Sequence, residues 1–191
     1  MRAVFSTPFV VSAGCWFAFE VGLVVRDLVR GKARLRQDRG TRAIVALSLG
    51  GSIWLGFLLP GWAPALDTPS PDAFVAAGIV VIWVGLAVRI WAVLTLGGSF
   101  STFIQVDADQ PVVTRGPYRW VRHPSYTGLL LIALGFGLGA GNWASLAICA
   151  VIPPLGLLPR ITIEESEMIR SRGEQYRSYQ RTTHRLVPGL W

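Results

Sequence analysis

Residues Tyr126–Pro159 read YTGLLLIALGFGLGAGNWASLAICAVIPPLGLLP, a run without a single formal charge. As one helix it would be about 50 Å long, well beyond a bilayer hydrocarbon core of about 30 Å. Such a run fits a membrane by folding back on itself. Gly139-Ala140-Gly141-Asn142 marks the reversal, because glycine and asparagine accept the backbone angles of a tight turn. The first arm is then roughly 20 Å long, short for a full crossing. Pro153-Pro154 is expected to break or kink the second arm.

Outward from this hairpin the chain keeps the same character. Of its 191 residues 52% are hydrophobic and 15% charged, too apolar a balance for an ordinary soluble domain of this length. Phe9–Val25, Ala43–Pro60 and Ala73–Leu96 are nearly free of charge and long enough to cross a bilayer as helices. The first run is not a signal peptide, since Glu20 interrupts it and no small-residue cleavage site follows.

The net charge of +7 raises the possibility of a nucleic-acid partner, but the basic residues form no patch of that kind. They sit between the apolar runs. Arg30, Lys32, Arg34, Arg36, Arg39 and Arg42 crowd the first connection, whereas the second, Gly61–Asp72, carries only Asp67 and Asp72. By the positive-inside rule the first connection is cytoplasmic, the second lies outside, and the N-terminus starts outside. The stretch Gly98–Pro124, with Arg115, Arg119 and Arg122, and the tail after Arg160 are cytoplasmic by the same rule. Cys15 and Cys149 each lie in an apolar run, where a thiol is a small packing residue, and imply no disulfide.

From Ile161 to about Arg181 the pattern turns polar and amphipathic, as expected of a helix at the membrane surface. The expected fold is an all-α integral membrane protein of about five transmembrane segments, the last two a helical hairpin, followed by a cytoplasmic C-terminal helix. Residues 1–96 form a three-helix membrane region, and 97–191 form the functional region of loop, hairpin and C-terminal helix.

Two constellations carry chemistry. In Arg115-Gly-Pro-Tyr-Arg-Trp-Val-Arg-His-Pro-Ser-Tyr-Thr-Gly128, Gly116-Pro117 and His123-Pro124 stiffen a loop rich in hydrogen-bond donors. That loop either binds a small polar ligand or anchors in the interface through its Arg, Trp and Tyr residues. In Arg160-Ile-Thr-Ile-Glu164-Glu165, Arg160 and Glu164 share a helix face while Glu165 is turned aside. The plain alternative there is a surface ion pair worth a few tenths of a kcal/mol. Within the apolar runs, Glu20 and Arg89 are expected to face the protein interior or the interface, and a pair between them is open.

Taken in order, Gly116-Pro-Tyr118, Arg122-His-Pro-Ser-Tyr126 with Gly128, Glu164-Glu165, Gly173-Glu-Gln-Tyr-Arg-Ser-Tyr179 and Arg185-Leu-Val-Pro-Gly-Leu-Trp191 resemble the isoprenylcysteine carboxyl methyltransferase family. Membrane methyltransferases acting on phospholipid amines share the Arg-His-Pro and Glu-Glu elements. The resemblance covers roughly Leu96–Trp191. It implies S-adenosylmethionine (SAM) as cofactor, no metal, a cytoplasm-facing pocket closed by the C-terminal helices, and a tunnel open to the bilayer for a hydrophobic small-molecule or lipidated substrate. It further implies SAM contacts from Gln105, Gln110, Pro111, Val112, Val113, Tyr118, His123, Pro124, Ser125, Tyr126 and Glu164. SAM's adenine also needs an apolar slot, which Val112 and Val113 with the hairpin residues Leu157 and Leu158 are expected to supply.

By the same resemblance Arg160 faces the methyl acceptor; on the chemistry of guanidinium–carboxylate pairing, Arg122 is a second candidate for orienting it. A carboxylate acceptor is already ionised at neutral pH and needs no base, whereas an amine must first lose a proton, a task that would fall to Glu165. The expected location is the inner cell membrane, with no nucleic-acid partner. The alternatives are methylation of a phospholipid or another lipophilic amine or thiol on the same fold, and a non-catalytic membrane scaffold.

Overall fold

The computed structural model describes residues 6–31, 40–103 and 112–189. Six helices account for most of them: α1 (Thr7–Val29), α2 (Thr41–Trp62), α3 (Pro71–Leu96), α4 (Pro124–Gly139), α5 (Trp143–Arg172) and α6 (Glu174–Thr182). α1, α2, α3 and α5 are long and apolar enough to cross a membrane, and α4 is a shorter apolar helix. Among the described residues the only β pairing is two isolated bridges, Asp67 with Asn142 and Val121 with His184.

Local chemistry sets the ends of these helices. Pro71 and Pro124 stand in the first turns of α3 and α4, where a missing N–H costs nothing. Asn142 caps α5 by accepting hydrogen bonds from the Ala144 and Ser145 amides at 3.0 and 3.4 Å. The reversal falls where the sequence places it, at 140–142, and is fastened to the α2–α3 connection. There the Thr68 amide donates to the Gly141 carbonyl at 2.8 Å, and the Asn142 amide group donates to Asp67 at 2.9 Å and to the Ala63 carbonyl at 3.0 Å.

α3 runs against α4, α2 against α5, and α4 against α5. The α3–α4 contact is made by glycines. A Cβ at Gly85 would lie 2.7 Å from the Gly128 carbonyl oxygen, and one at Gly78 would lie 2.6 Å from that of Gly135. Small residues seven apart on both antiparallel helices let the backbones touch, which is how helices associate in lipid, where burial of apolar surface gives no net drive. Phe9, Val75, Ile82, Leu86, Ile132 and Phe136 form the main core, with Phe9, Phe57 and Phe136 packed edge to face. Leu47, Trp54, Leu94 and Leu155 face outward, as residues in contact with lipid do. Exposed Trp62 and Trp143 lie near one end of the bundle, and Trp91 and Trp120 near the other.

Two expectations are refined. Pro153-Pro154, expected to break or kink the second hairpin arm, does not break it: α5 runs as one helix of 30 residues through Pro153, Pro154 and Pro159. α5 is also joined to α2, with the Ser145 hydroxyl donating to the Gly56 carbonyl at 2.6 Å and Cys149 Sγ to that of Ser52 at 3.5 Å. The amphipathic segment from Ile161 to Arg181 is also not one separate helix. Its first half continues α5, and Gly173, at φ +54°, turns the chain into α6 because that backbone conformation cannot continue a right-handed helix.

Candidate active site

The Arg-His-Pro loop is held from behind by the C-terminal tail. The Arg122 amide donates to the His184 carbonyl at 2.7 Å, the His123 amide to that of Arg185 at 3.0 Å, and the His184 amide to that of Trp120 at 3.0 Å. Thr127 Oγ1 donates to the Leu186 carbonyl at 2.6 Å, and Leu186 is buried against Leu157 and Ile161. The tail motif thus acts as a strap that fixes the loop's backbone.

Glu165 ties the strap to α5. Its carboxylate accepts from Arg122 Nε at 2.8 Å and from Arg185 Nε at 3.1 Å, and Arg122 also donates to the Gln180 and Thr183 carbonyls. With 3% exposure, Glu165 is a buried charge whose cost these partners, together with His123, offset. His123 lies between the paired carboxylates, Nδ1 at 3.5 Å from Glu164 and Nε2 at 3.3 Å from Glu165, with its ring stacked on Tyr126. Burial of His123 opposes its protonation, but the two carboxylates outweigh it and raise the imidazole's pKa above the usual 6.5. Burial pushes Tyr118 well above the normal phenol range and Tyr179 up to about 12, so both stay neutral donors.

On the other side of Tyr126 lies Arg160, only 3% exposed. Its guanidinium donates to Tyr126 Oη at 2.6 Å, to the Thr102 carbonyl at 2.9 Å and to Thr41 Oγ1 at 3.5 Å, and pairs with Glu164 at 3.1 Å. Tyr126 Oη donates to Glu164. The segment carrying Thr102 is held from α1 by Asp27, which is fully buried and accepts from the Thr102 amide at 2.6 Å.

These groups open onto one cavity of about 450 Å³. Val112, Val113, Tyr118, Arg122, His123, Ser125, Tyr126, Arg160 and Glu164 line it. Pro124 and Glu165 do not. Leu157, expected at an adenine slot, is instead buried with Ile161 and Leu186, and Leu158 is likewise absent from the wall, because one face of α5 packs under the tail. Met168, Tyr176 and Tyr179 are also part of the wall. Gln105, Gln110 and Pro111 lie outside the described residues.

Sequence reading did not assign several wall residues to the site. Glu20 and Arg89 form a two-pronged ion pair at 2.5 and 2.7 Å, and Arg89 also donates to Ser125 Oγ at 2.6 Å. A charge inside an apolar run was the available signal for both. Trp16, Phe17 and Val24 from α1 and Val45, Ala46, Leu49 and Gly50 from α2 extend the cavity into an apolar arm.

A model of the isoprenylcysteine carboxyl methyltransferase (ICMT) family matches residues 77–170, which include Arg89, His123, Tyr126, Arg160, Glu164 and Glu165. The chain is 32% identical over 113 residues to a protein-S-isoprenylcysteine O-methyltransferase of Tribolium castaneum, and 34% identical over 113 residues to such a protein, form A, of Arabidopsis thaliana. Each match covers 58% of this chain but only 40% and 57% of the respective relative. Among solved structures, that of the eukaryotic intramembrane Ras methyltransferase ICMT superposes with a TM-score of 0.62 at 29% identity, covering 74% of this chain and 51% of that one.

Proposed function

We propose that this chain, a member of the isoprenylcysteine carboxyl methyltransferase family through residues 77–170 and an integral membrane protein, uses SAM to methylate the carboxylate of a lipidic or otherwise hydrophobic acceptor. The observation that carries this reading is a single cavity of two chemistries. Its polar end is built from the Arg-His-Pro loop and Glu164, and its apolar arm from mid-helix residues of α1 and α2.

The polar end suits SAM. Glu164 would hold the ammonium group, and Val112, Val113 and Tyr118, with Met168, Tyr176 and Tyr179, would flank the adenine. The Thr102 hydroxyl is buried at the cavity wall without a hydrogen-bond partner among the described residues, so a ligand oxygen or nitrogen is needed to satisfy it. When bound, SAM supplies an electrophilic methyl group on a sulfonium.

What remains for the chain is to position and desolvate the acceptor. Arg160, at the junction of the two ends, would orient an acceptor carboxylate, and the apolar arm would strip it of water. A carboxylate with a reference pKa near 4 needs no base. Glu165, the base an amine acceptor would require, has both oxygens engaged by arginines and is not part of the cavity wall, which supports the carboxylate reading.

In this reading residues 97–191 carry the catalytic region, while 1–96 shape the acceptor's arm. The chain crosses the inner membrane five times, with the site facing the cytoplasm. The test is to incubate purified protein in lipid nanodiscs with methyl-labelled SAM and an S-prenylcysteine. Label released as methanol by mild base is expected. A base-stable product would move the assignment to amine or thiol methylation, and failure to bind SAM would leave a non-catalytic scaffold.

A further inference from the structure

Thr102 is engaged on both sides of its backbone. Its amide donates to Asp27 Oδ2 at 2.6 Å, and its carbonyl accepts from Arg160 Nη2 at 2.9 Å. Asp27 thus stands one residue behind the guanidinium proposed to orient the acceptor, although it is itself fully buried and no part of the cavity wall. α1 grips the same stretch at further points. The Arg26 guanidinium pairs with Asp27 at 2.9 Å, donates to the Phe100 carbonyl at 3.2 Å and lies 5.3 Å from the centre of the Phe100 ring. Ser101 Oγ, 3.5 Å from Asp27 Oδ2, accepts in turn from the Phe103 amide at 3.1 Å.

Anchoring alone does not account for a carboxylate at this position. Phe100 packs with Leu23 and Val93, and Phe103 is buried, so apolar contact already fastens the segment on both sides of Thr102. A charged group with no exposure is a costly addition to such an anchor. What it supplies is direction: a charged acceptor aimed at one amide fixes the rotation of the backbone at Thr102, and with it the line along which the carbonyl points. The Arg160 guanidinium depends on that line. Its Nε meets Tyr126 and Glu164, whereas its terminal nitrogens meet Thr41 at 3.5 Å and Thr102 at 2.9 Å. The shorter of these last two bonds, the one to Thr102, does more to set the tilt of the planar group.

We infer that Asp27 is a positioning residue for methyl transfer: by holding the Thr102 backbone it aims the Arg160 guanidinium at the acceptor's carboxylate, without touching either reactant. This rests on the proposed role of Arg160 toward a carboxylate acceptor.

The test is a double-mutant cycle in lipid nanodiscs, read on kcat/KM for the S-prenylcysteine acceptor, with SAM and acceptor affinities measured separately by calorimetry. Asp27→Ala is expected to lower kcat/KM about tenfold or more, the effect of losing one hydrogen bond to a charged group, with a smaller change in SAM affinity. Asp27→Asn keeps an oxygen for the amide but exchanges a charged acceptor for a neutral one, so its loss should be only about threefold. In an Arg160→Ala background both losses should shrink to about twofold or less, because the group that Asp27 aims is gone. A mere anchor behaves differently, lowering turnover by the same factor whether or not Arg160 is present and weakening SAM binding in parallel. That pattern overturns the inference, as do wild-type kinetics in whichever of the two Asp27 variants folds. If Asp27→Ala fails to fold, the cycle with Asp27→Asn decides by the same criterion. A wild type that binds the acceptor but transfers no methyl group to it removes the proposed reaction alone; the cycle is then read on acceptor affinity, where additive losses overturn the inference. Absence of acceptor binding in the wild type removes both.

Discussion

His123 joins the two constellations that the sequence presents separately, since its ring nitrogens face Glu164 and Glu165 and its backbone is held by the tail. Its pKa is raised in the folded protein, so its protonation stabilises the fold fully below the unfolded value of about 6.5 and this contribution is lost as pH rises through the raised folded value. Unfolding of the wild type in detergent should therefore become easier with rising pH across that window, with the dependence absent in His123→Gln. An identical pH profile in the two proteins would show that the imidazole is already neutral.

At the neighbouring residue, Arg160→Ala should keep much of the SAM affinity but lose methyl transfer by roughly ten- to a hundredfold, the effect of removing one charge-assisted pair. Glu164→Ala should lose SAM affinity itself. If calorimetry finds the two variants equally impaired in SAM binding and turnover is normal at saturating SAM, Arg160 serves only as the partner that the structure gives Glu164 at 3.1 Å.

Among the elements, the α3–α4 contact is the least tolerant. Gly85→Val or Gly128→Val would push side-chain atoms into the facing backbone, and a Cβ at Gly128 also lies 2.8 Å from that of Arg89. We expect each to destabilise the protein by about 1–3 kcal/mol or more and to disturb Arg89. Gly51→Ala, with nothing within 4 Å, should be close to neutral. Chemical unfolding in detergent micelles ranks the three. The tail is an element of another kind, a strap without regular structure. Deleting residues from His184 onward removes the partners of the Arg122 and His123 amides, and SAM binding should fall below detection while the helical circular dichroism signal persists.

For the whole molecule, orientation in the bilayer is the first property to measure. The hairpin turn is hydrogen-bonded to the α2–α3 connection through Thr68 and Asp67, so the two must lie at the same end of the bundle. In a background lacking Cys15 and Cys149, single cysteines near Lys32, Arg119 and Arg177 should react from the cytoplasmic side, and one near Asp67 from the opposite side. Labelling near Arg177 from outside would eliminate the five-crossing arrangement.

The apolar runs, the turn at 140–142 and the two polar strings could be read from the chain alone, because spans, reversals and basic flanks follow from local composition and the fixed thickness of a bilayer. The continuous course of α5 through Pro153 and Pro154 could not, because proline inside a helix reads locally as a break, and the packing of α5 on α2 joins segments about a hundred residues apart. Nor could the separate fates of Glu164 and Glu165. Helical geometry turns neighbouring carboxylates apart, but only the packing of the tail decides that one borders the cavity while the other is enclosed by Arg122 and Arg185. The same holds for Glu20 and Arg89. Each registers in the sequence as a charge where charge is expensive, and only the approach of α1 to α3 makes them a pair on a cavity wall, since an ion pair depends on a distance that no local pattern encodes.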